Sequence, residues 1–162
     1  MNVVFISPHF PEYYHNFCSR LKDRGVNVLG VGDCPYDMIS DETKNSLTEY
    51  YYVGSLENYD EVYRACAYFS SQYGKIDWIE SENEYWLELE ATLRRDFNVT
   101  TGPQIQNMRC MKFKSAMKEV YKSAGLKVAD YIKLDTLDEA LEFTKENGYP
   151  VIVKPDNGVG AT

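Results

Sequence analysis

Residues 1–103 predict an open parallel α/β sheet of Rossmann-like topology, and residues 104–162 predict part of a second, α+β subdomain. Three observations lead to this reading. A short continuous apolar run at 3–6, and apolar-rich segments at 26–31 and 76–79, have the length of buried strands. Between them lie segments with apolar residues at helical spacing, and strand, helix, strand at these lengths is a βαβ unit with a parallel crossover. From Gln104 the chain changes character, to a helical segment rich in methionine and lysine followed by strand, helix and strand.

The first strand, Val3-Val4-Phe5-Ile6, is broken by Ser7-Pro8-His9-Phe10-Pro11. A helix over 13–24 follows from the spacing of Tyr14, Phe17, Cys18 and Leu21, with Gly25 after it. Residues 26–31 form the second strand; 33–47 are polar and rich in turn residues; Tyr50-Tyr51-Tyr52-Val53 place aromatics on a pleated third strand. Asn58 is the expected cap of a helix over 59–73, whose stripe of Val62, Ala65, Cys66 and Phe69 faces a core, and Gly74 ends it. After the strand at 76–79, Ser81 and Glu84 have the spacing of a capping box for a helix over 85–97. Residues 99–103 are expected to form a last short strand and the domain boundary. One helix over 108–124 closes at Gly125, and 129–134 form a strand. Thr136 with Glu139 caps a helix reaching Asn147, Gly148 closes it, and Pro150 leads into the strand Val151-Ile152-Val153.

At 162 residues the chain is long enough for one domain, or one domain plus part of another, and 44% hydrophobic composition is enough for a real core. Its 17 Lys+Arg against 25 Asp+Glu, a net charge of -8, argue against a nucleic-acid or anionic-membrane binder, so any phosphate site must be local. The start carries neither a secretory pattern nor a transmembrane run, which makes a cytoplasmic protein the expectation. Cys18, Cys34, Cys66 and Cys110 lack Cys-x-x-Cys spacing and fit reduced thiols.

Candidate chemistry sits at strand ends, where open α/β sheets bind ligands. The first turn has Ser7, Pro8, His9 and Phe10 where a dinucleotide site would have glycines, so that use is not expected, although His9 can face a ligand there. Glu80 and Glu82 could meet a cationic group, or serve the next helix as first-turn carboxylates. Lys154 ends the last apolar strand and is followed by a loop with Gly158 and Gly160; it either reaches water over its packed stem or meets phosphate oxygens with the loop amides. Lys114 and Lys118 are four apart, on one helical face, and on composition alone are solvated surface charges.

Met111-Lys112-Phe113-Lys114-Ser115-Ala116-Met117-Lys118, then Ala124-Gly125-Leu126, then Tyr149-Pro150-Val151-Ile152-Val153-Lys154-Pro155 and Gly158-Val159-Gly160, in that order, resemble the entry to an ATP-grasp domain of the carbamoyl-phosphate-synthase large-chain-like branch. The resemblance implies that residues 1–103 are the Rossmann-like domain preceding the grasp and that 104–162 are the incomplete N-terminal part of the grasp itself. It implies that Lys114, Lys154, Gly158 and Gly160 contact ATP phosphates. Phe113 stands where the family often has an acidic residue, so Lys112 competes with Lys114 for the first position. It further implies an ATP-dependent ligase that activates a carboxylate as an acyl phosphate for an amine or related nucleophile; by their strand-end positions, His9, Glu80 and Glu82 are the substrate-side candidates. Magnesium ligands are expected in a later subdomain, which leaves this chain inactive by itself. The small second unit calls for cover on its apolar strand face, from the first domain or from a second copy of the chain in a homodimer. The competing reading is a stand-alone α/β module that binds a small ligand or docks without catalysis.

Overall fold

A continuous apolar run suits a strand covered on both faces, and the computed structural model, which describes residues 1–158, places the run Val3–Ile6 at the centre of its sheet. β1 (Asn2–Ile6), β2 (Asn27–Gly32), β3 (Glu49–Tyr52) and β4 (Trp78–Glu80) are all parallel, in the order β3-β2-β1-β4. Val4 pairs with Leu29 on one side and Ile79 on the other, so β1 is central. The chain divides into a unit of Met1–Ile105, which holds this sheet, and a unit of Gln106–Thr162.

The pleat sorts side chains onto two covered faces. Val4, Ile6, Leu29, Val31 and Ile79 pack with Val62, Ala65, Cys66 and Phe69 of α3 (Tyr59–Tyr73) and with Leu93 of α4 (Leu87–Asp96). Phe5 and Val28 pack with Tyr14, Leu47 and Cys18, the last on α1 (His15–Lys22). Gly30 lies between these layers at a close approach: a Cβ there would come 2.7 Å from Leu47 Cδ1.

Several local expectations for this unit are corrected. Residues 33–47 contain a further helix, α2 (Asp41–Ser46), capped where Ser40 Oγ accepts from the Thr43 amide at 3.2 Å. Asn58 occupies the cap position of α3, but its side-chain amide donates to Glu61 Oε1 at 2.8 Å instead of accepting from the helix. Ser81 and Glu84 form no capping box. Asn83 caps a short turn at Glu84–Trp86, accepting from the Tyr85 amide at 3.0 Å, because Ser81 is drawn inward to Glu90. Residues 99–103 form no strand. Their backbone is held by side chains instead, with Arg94 Nη1 donating to Pro103 O at 2.8 Å and Gln104 Nε2 to Val99 O at 3.1 Å.

The second unit contains α5 (Met108–Lys112), α6 (Lys114–Ser123) and α7 (Leu137–Asn147). The expected single helix over 108–124 is broken at Phe113, whose extended backbone (φ -94°, ψ 118°) makes an antiparallel bridge to Asn157. The Thr136–Glu139 capping box of α7 is present, and Gly148 closes the helix at φ 75°. The strands expected at 129–134 and 151–153 are absent: both segments lack regular structure, and Ile152 and Val153 are 87% and 78% exposed. Their β propensity has no ladder to join, since a strand needs neighbours and an isolated pair is marginal in water. Among the described residues, no helix is long and apolar enough to cross a membrane.

Candidate functional site

The sequence at the start of α6 is poor at capping itself. Phe113 holds the cap position with no side-chain hydrogen bond, and Lys114 puts a positive charge at the positive end of the helix dipole. The deficit is met from far along the chain. Asp156 Oδ1 accepts from the Ser115 amide at 2.8 Å, and Oδ2 accepts from Ser115 Oγ at 2.8 Å. The Lys114 amide donates to Asp156 O at 3.0 Å, and Lys133 Nζ lies 3.9 Å from Asp156 Oδ2. The two Ser115 hydrogen bonds hold the Asp156 carboxyl below its usual range, with the lysine charges adding to the effect.

Of the phosphate-site candidates, the structure brings Lys114 and Gly158 together, with Lys114 Nζ donating to Gly158 O at 3.2 Å. Gly158 has no left-handed backbone, and a Cβ there would meet the Pro155 ring at an ordinary 3.5 Å. The site therefore gains an approachable backbone from this glycine without depending on it sterically. Lys154 is exposed in the irregular segment before Pro155, and no hydrogen bond or ion pair ties it to Lys114 among the described residues. Gly160 lies outside the described residues. Lys112, the competitor, ends α5 on the far side of the break at Phe113. Lys118 turns away to Ala129 O, at 3.2 Å, and over the Tyr131 ring.

These features fit a triphosphate: a cation anchored beside an open backbone segment, with a second, exposed lysine four residues before Gly158. Among the described residues no three or more His, Cys, Asp or Glu are grouped to hold a metal ion.

The substrate-side candidates belong to the first unit. Strand order reverses beside β1, so the loops after β1 and β4 flank the switch point. Both carry a left-handed non-glycine residue, Ser7 at φ 55° and Glu82 at φ 56°, and Tyr14 donates to Glu82 O at 2.6 Å. His9 is directed to the β2 side instead, with Nε2 3.4 Å from Asp33 Oδ1 and a buried Nδ1 without a hydrogen-bond partner. Burial lowers its pKa and Asp33 partly restores it.

Glu80 is engaged by its own surroundings. One oxygen accepts from the Ser81 amide at 3.2 Å, the other from Trp78 Nε1 at 3.2 Å and from Arg94 at 3.4 Å. Glu82 is exposed, and its carboxyl is raised by partial burial and then by the neighbouring charge of Glu80. Of the two, Glu82 has its carboxylate available.

Two groups of residues escaped the sequence reading. Asp156 and Ser115 each adjoin a recognised motif but announce no partnership 41 residues apart. Arg94 and Glu90 are wholly buried, 3.0 Å apart, and Arg94 also donates to Ile79 O, which locks α4 to β4 beneath the Glu80 loop. Their i,i+4 spacing was the available signal, although it ordinarily marks a surface pair.

Residues 111–162 match the family model described as carbamoyl-phosphate synthase L chain, ATP binding domain. The L-arginine-specific L-amino acid ligase of Bacillus subtilis is 33% identical over 88 residues, which is 54% of this chain and 21% of that protein. The carbamoyl phosphate synthase large chain of Caldanaerobacter subterraneus subsp. tengcongensis is 24% identical over 150 residues, 90% of this chain and 13% of that one. The chain thus spans about a fifth or less of the length of these curated relatives. The biotin carboxylase domain of the Hydrogenobacter thermophilus 2-oxoglutarate carboxylase, a dimer in complex with MgADP, ADP and bicarbonate, shares the fold at a TM-score of 0.66. Its identity is 23%, over 98% of this chain and 35% of that one. The resemblance to the carbamoyl-phosphate-synthase-like branch of the ATP-grasp superfamily is therefore shown, and the sequence that carries the family match is the part containing Lys114, Lys154 and the glycine loop.

Proposed function

We propose that the chain is the front part of an ATP-dependent carboxylate–amine ligase, or a close relative of one, that works through an acyl phosphate. In this reading residues 1–103 are the domain that precedes the ATP-grasp, and 104–162 are the first part of the grasp. The observation that carries it is Lys114 Nζ resting 3.2 Å from Gly158 O, inside the segment that matches an ATP binding domain. Lys114 and Lys154 would hold the phosphates, with the Gly158 backbone beside Lys114. Two ammonium groups and loop amides neutralise a triphosphate and draw charge from the transferred phosphoryl group. Bound ATP with Mg2+ would supply the activating phosphoryl group. The magnesium ligands are assigned to a later subdomain, so the 162-residue chain alone is proposed to be inactive.

The ligase relative supports amine and carboxylate substrates, and Glu82, beside the switch point, is the residue we assign to face a cationic substrate group. The dimeric biotin carboxylase domain supports a homodimer as the working assembly.

The test is to incubate the intact protein with ATP, Mg2+ and panels of carboxylates and amines, with hydroxylamine added to trap the acyl phosphate. ADP release coupled to hydroxamate formation is expected for at least one carboxylate. Replacing Lys154 with alanine should lower the rate about 10²-fold or more, as loss of a donor to developing charge does. ADP release that is independent of any carboxylate, or a Lys154→Ala enzyme of normal rate, would sink the proposal.

A further inference from the structure

Resting on the phosphate-site reading, we infer that Asp156 is a positioning residue: it clamps the glycine segment onto the start of α6 and thereby sets the Lys114 ammonium where phosphates are received. Five links converge on this point. Asp156 receives the Ser115 amide and hydroxyl through its two carboxylate oxygens, and the Lys114 amide through its backbone carbonyl. Asn157 bridges Phe113, and Gly158 O accepts from Lys114 Nζ. On the N-terminal side of this clamp, residues 151–155 have no regular structure.

The clamp answers a need that the local sequence leaves open. With Phe113 as cap and Lys114 in the first turn, α6 has no acceptor of its own for its leading amides. A carboxylate placed there satisfies an amide and counters the positive end of the helix dipole. It also neutralises part of the charge that Lys114 brings, so the lysine can stand at a helix start without repelling it. Helix start, lysine and loop become one piece whose parts cannot drift apart.

The same geometry admits an opposite role, and the two separate experimentally. A carboxylate at a helix start can also stand in for a phosphate and have to leave before nucleotide enters. A positioning Asp156 makes nucleotide bind tighter, whereas a competing Asp156 makes it bind weaker.

The experiment measures MgADP affinity by titration calorimetry on the intact protein for Asp156→Asn, Lys114→Ala, the Asp156→Asn/Lys114→Ala double variant, Lys154→Ala, and Ser115→Ala against Ser115→Thr. Unfolding midpoints identify any variant that fails to fold. The expected result is about tenfold weaker binding for Asp156→Asn in the unaltered protein and less than twofold further weakening in the Lys114→Ala background, since the effect passes through that lysine. Ser115→Thr keeps the hydroxyl and is expected to restore most of what Ser115→Ala loses. Tighter binding in Asp156→Asn, no change, or an equal loss in both backgrounds overturns the positioning role. Unchanged MgADP affinity in both Lys114→Ala and Lys154→Ala is a different outcome: it removes the phosphate site, and the role of Asp156 with it.

Discussion

Glu90 shows what a single buried carboxyl can do to this protein. It is wholly buried beside Arg94, and burial, followed by the charge of Glu80, pushes its pKa up to about 7 against the opposing pull of Ser81 and Arg94. Below its ordinary value of 4.5, folded and unfolded chains both hold the proton, and this group favours neither. Between 4.5 and about 7 only the unfolded chain has released it, so stability is lost as the pH rises. The expected slope from this group is up to about 1.4 kcal/mol per pH unit. Urea unfolding across that window should show it, and Glu90→Gln should flatten it; a wild-type curve already flat there would contradict the assignment. The pair lies directly under the Glu80 loop, so the same titration also bears on how firmly that loop is held at the strand end.

At the scale of elements, α7, which caps itself, contrasts with α6, which does not. α7 carries its own capping box: Thr136 Oγ1 accepts from the Glu139 amide at 3.3 Å, and Glu139 accepts from the Thr136 amide at 3.0 Å. Thr136→Ala should cost about 1 kcal/mol, seen as amide exchange in the first turn of α7 that is faster by about fivefold. Unchanged exchange would mean that neighbouring contacts, not the cap, set where α7 begins. The box was readable because both its members lie within one turn. The break between α5 and α6 was not readable, because the residues around Phe113 all tolerate a helix and the bridge that splits them comes from Asn157. The helix over 41–46 was passed over for a related reason, since its polar face masks a short element that is anchored by the buried Thr43 and Ser46.

At the scale of the whole molecule, the two units differ in what their apolar residues achieve. In the first, β1 and β2 are paired and covered on both faces; in the second, Tyr149, Ile152 and Val153 remain largely exposed. Amides of Ile152, Val153 and Lys154 in the 162-residue chain should therefore exchange at nearly unprotected rates, while those of Val4 and Val28 are slow. Strong protection at 152–154 in that chain would show that these strands already have partners. The sequence alone determined the parallel α/β sheet, whose short apolar and aromatic runs and intervening helical stripes are local patterns, and it marked Lys114, Lys154 and Gly158 through motifs read in order. Tertiary structure alone decided that Asp156 would cap α6, that Arg94 and Glu90 would be a buried lock and not a surface pair, and that 129–134 and 151–153 would go unpaired. Each of these depends on a partner distant along the chain or on a ladder with no neighbour to join, and neither leaves a periodic trace in the residues concerned.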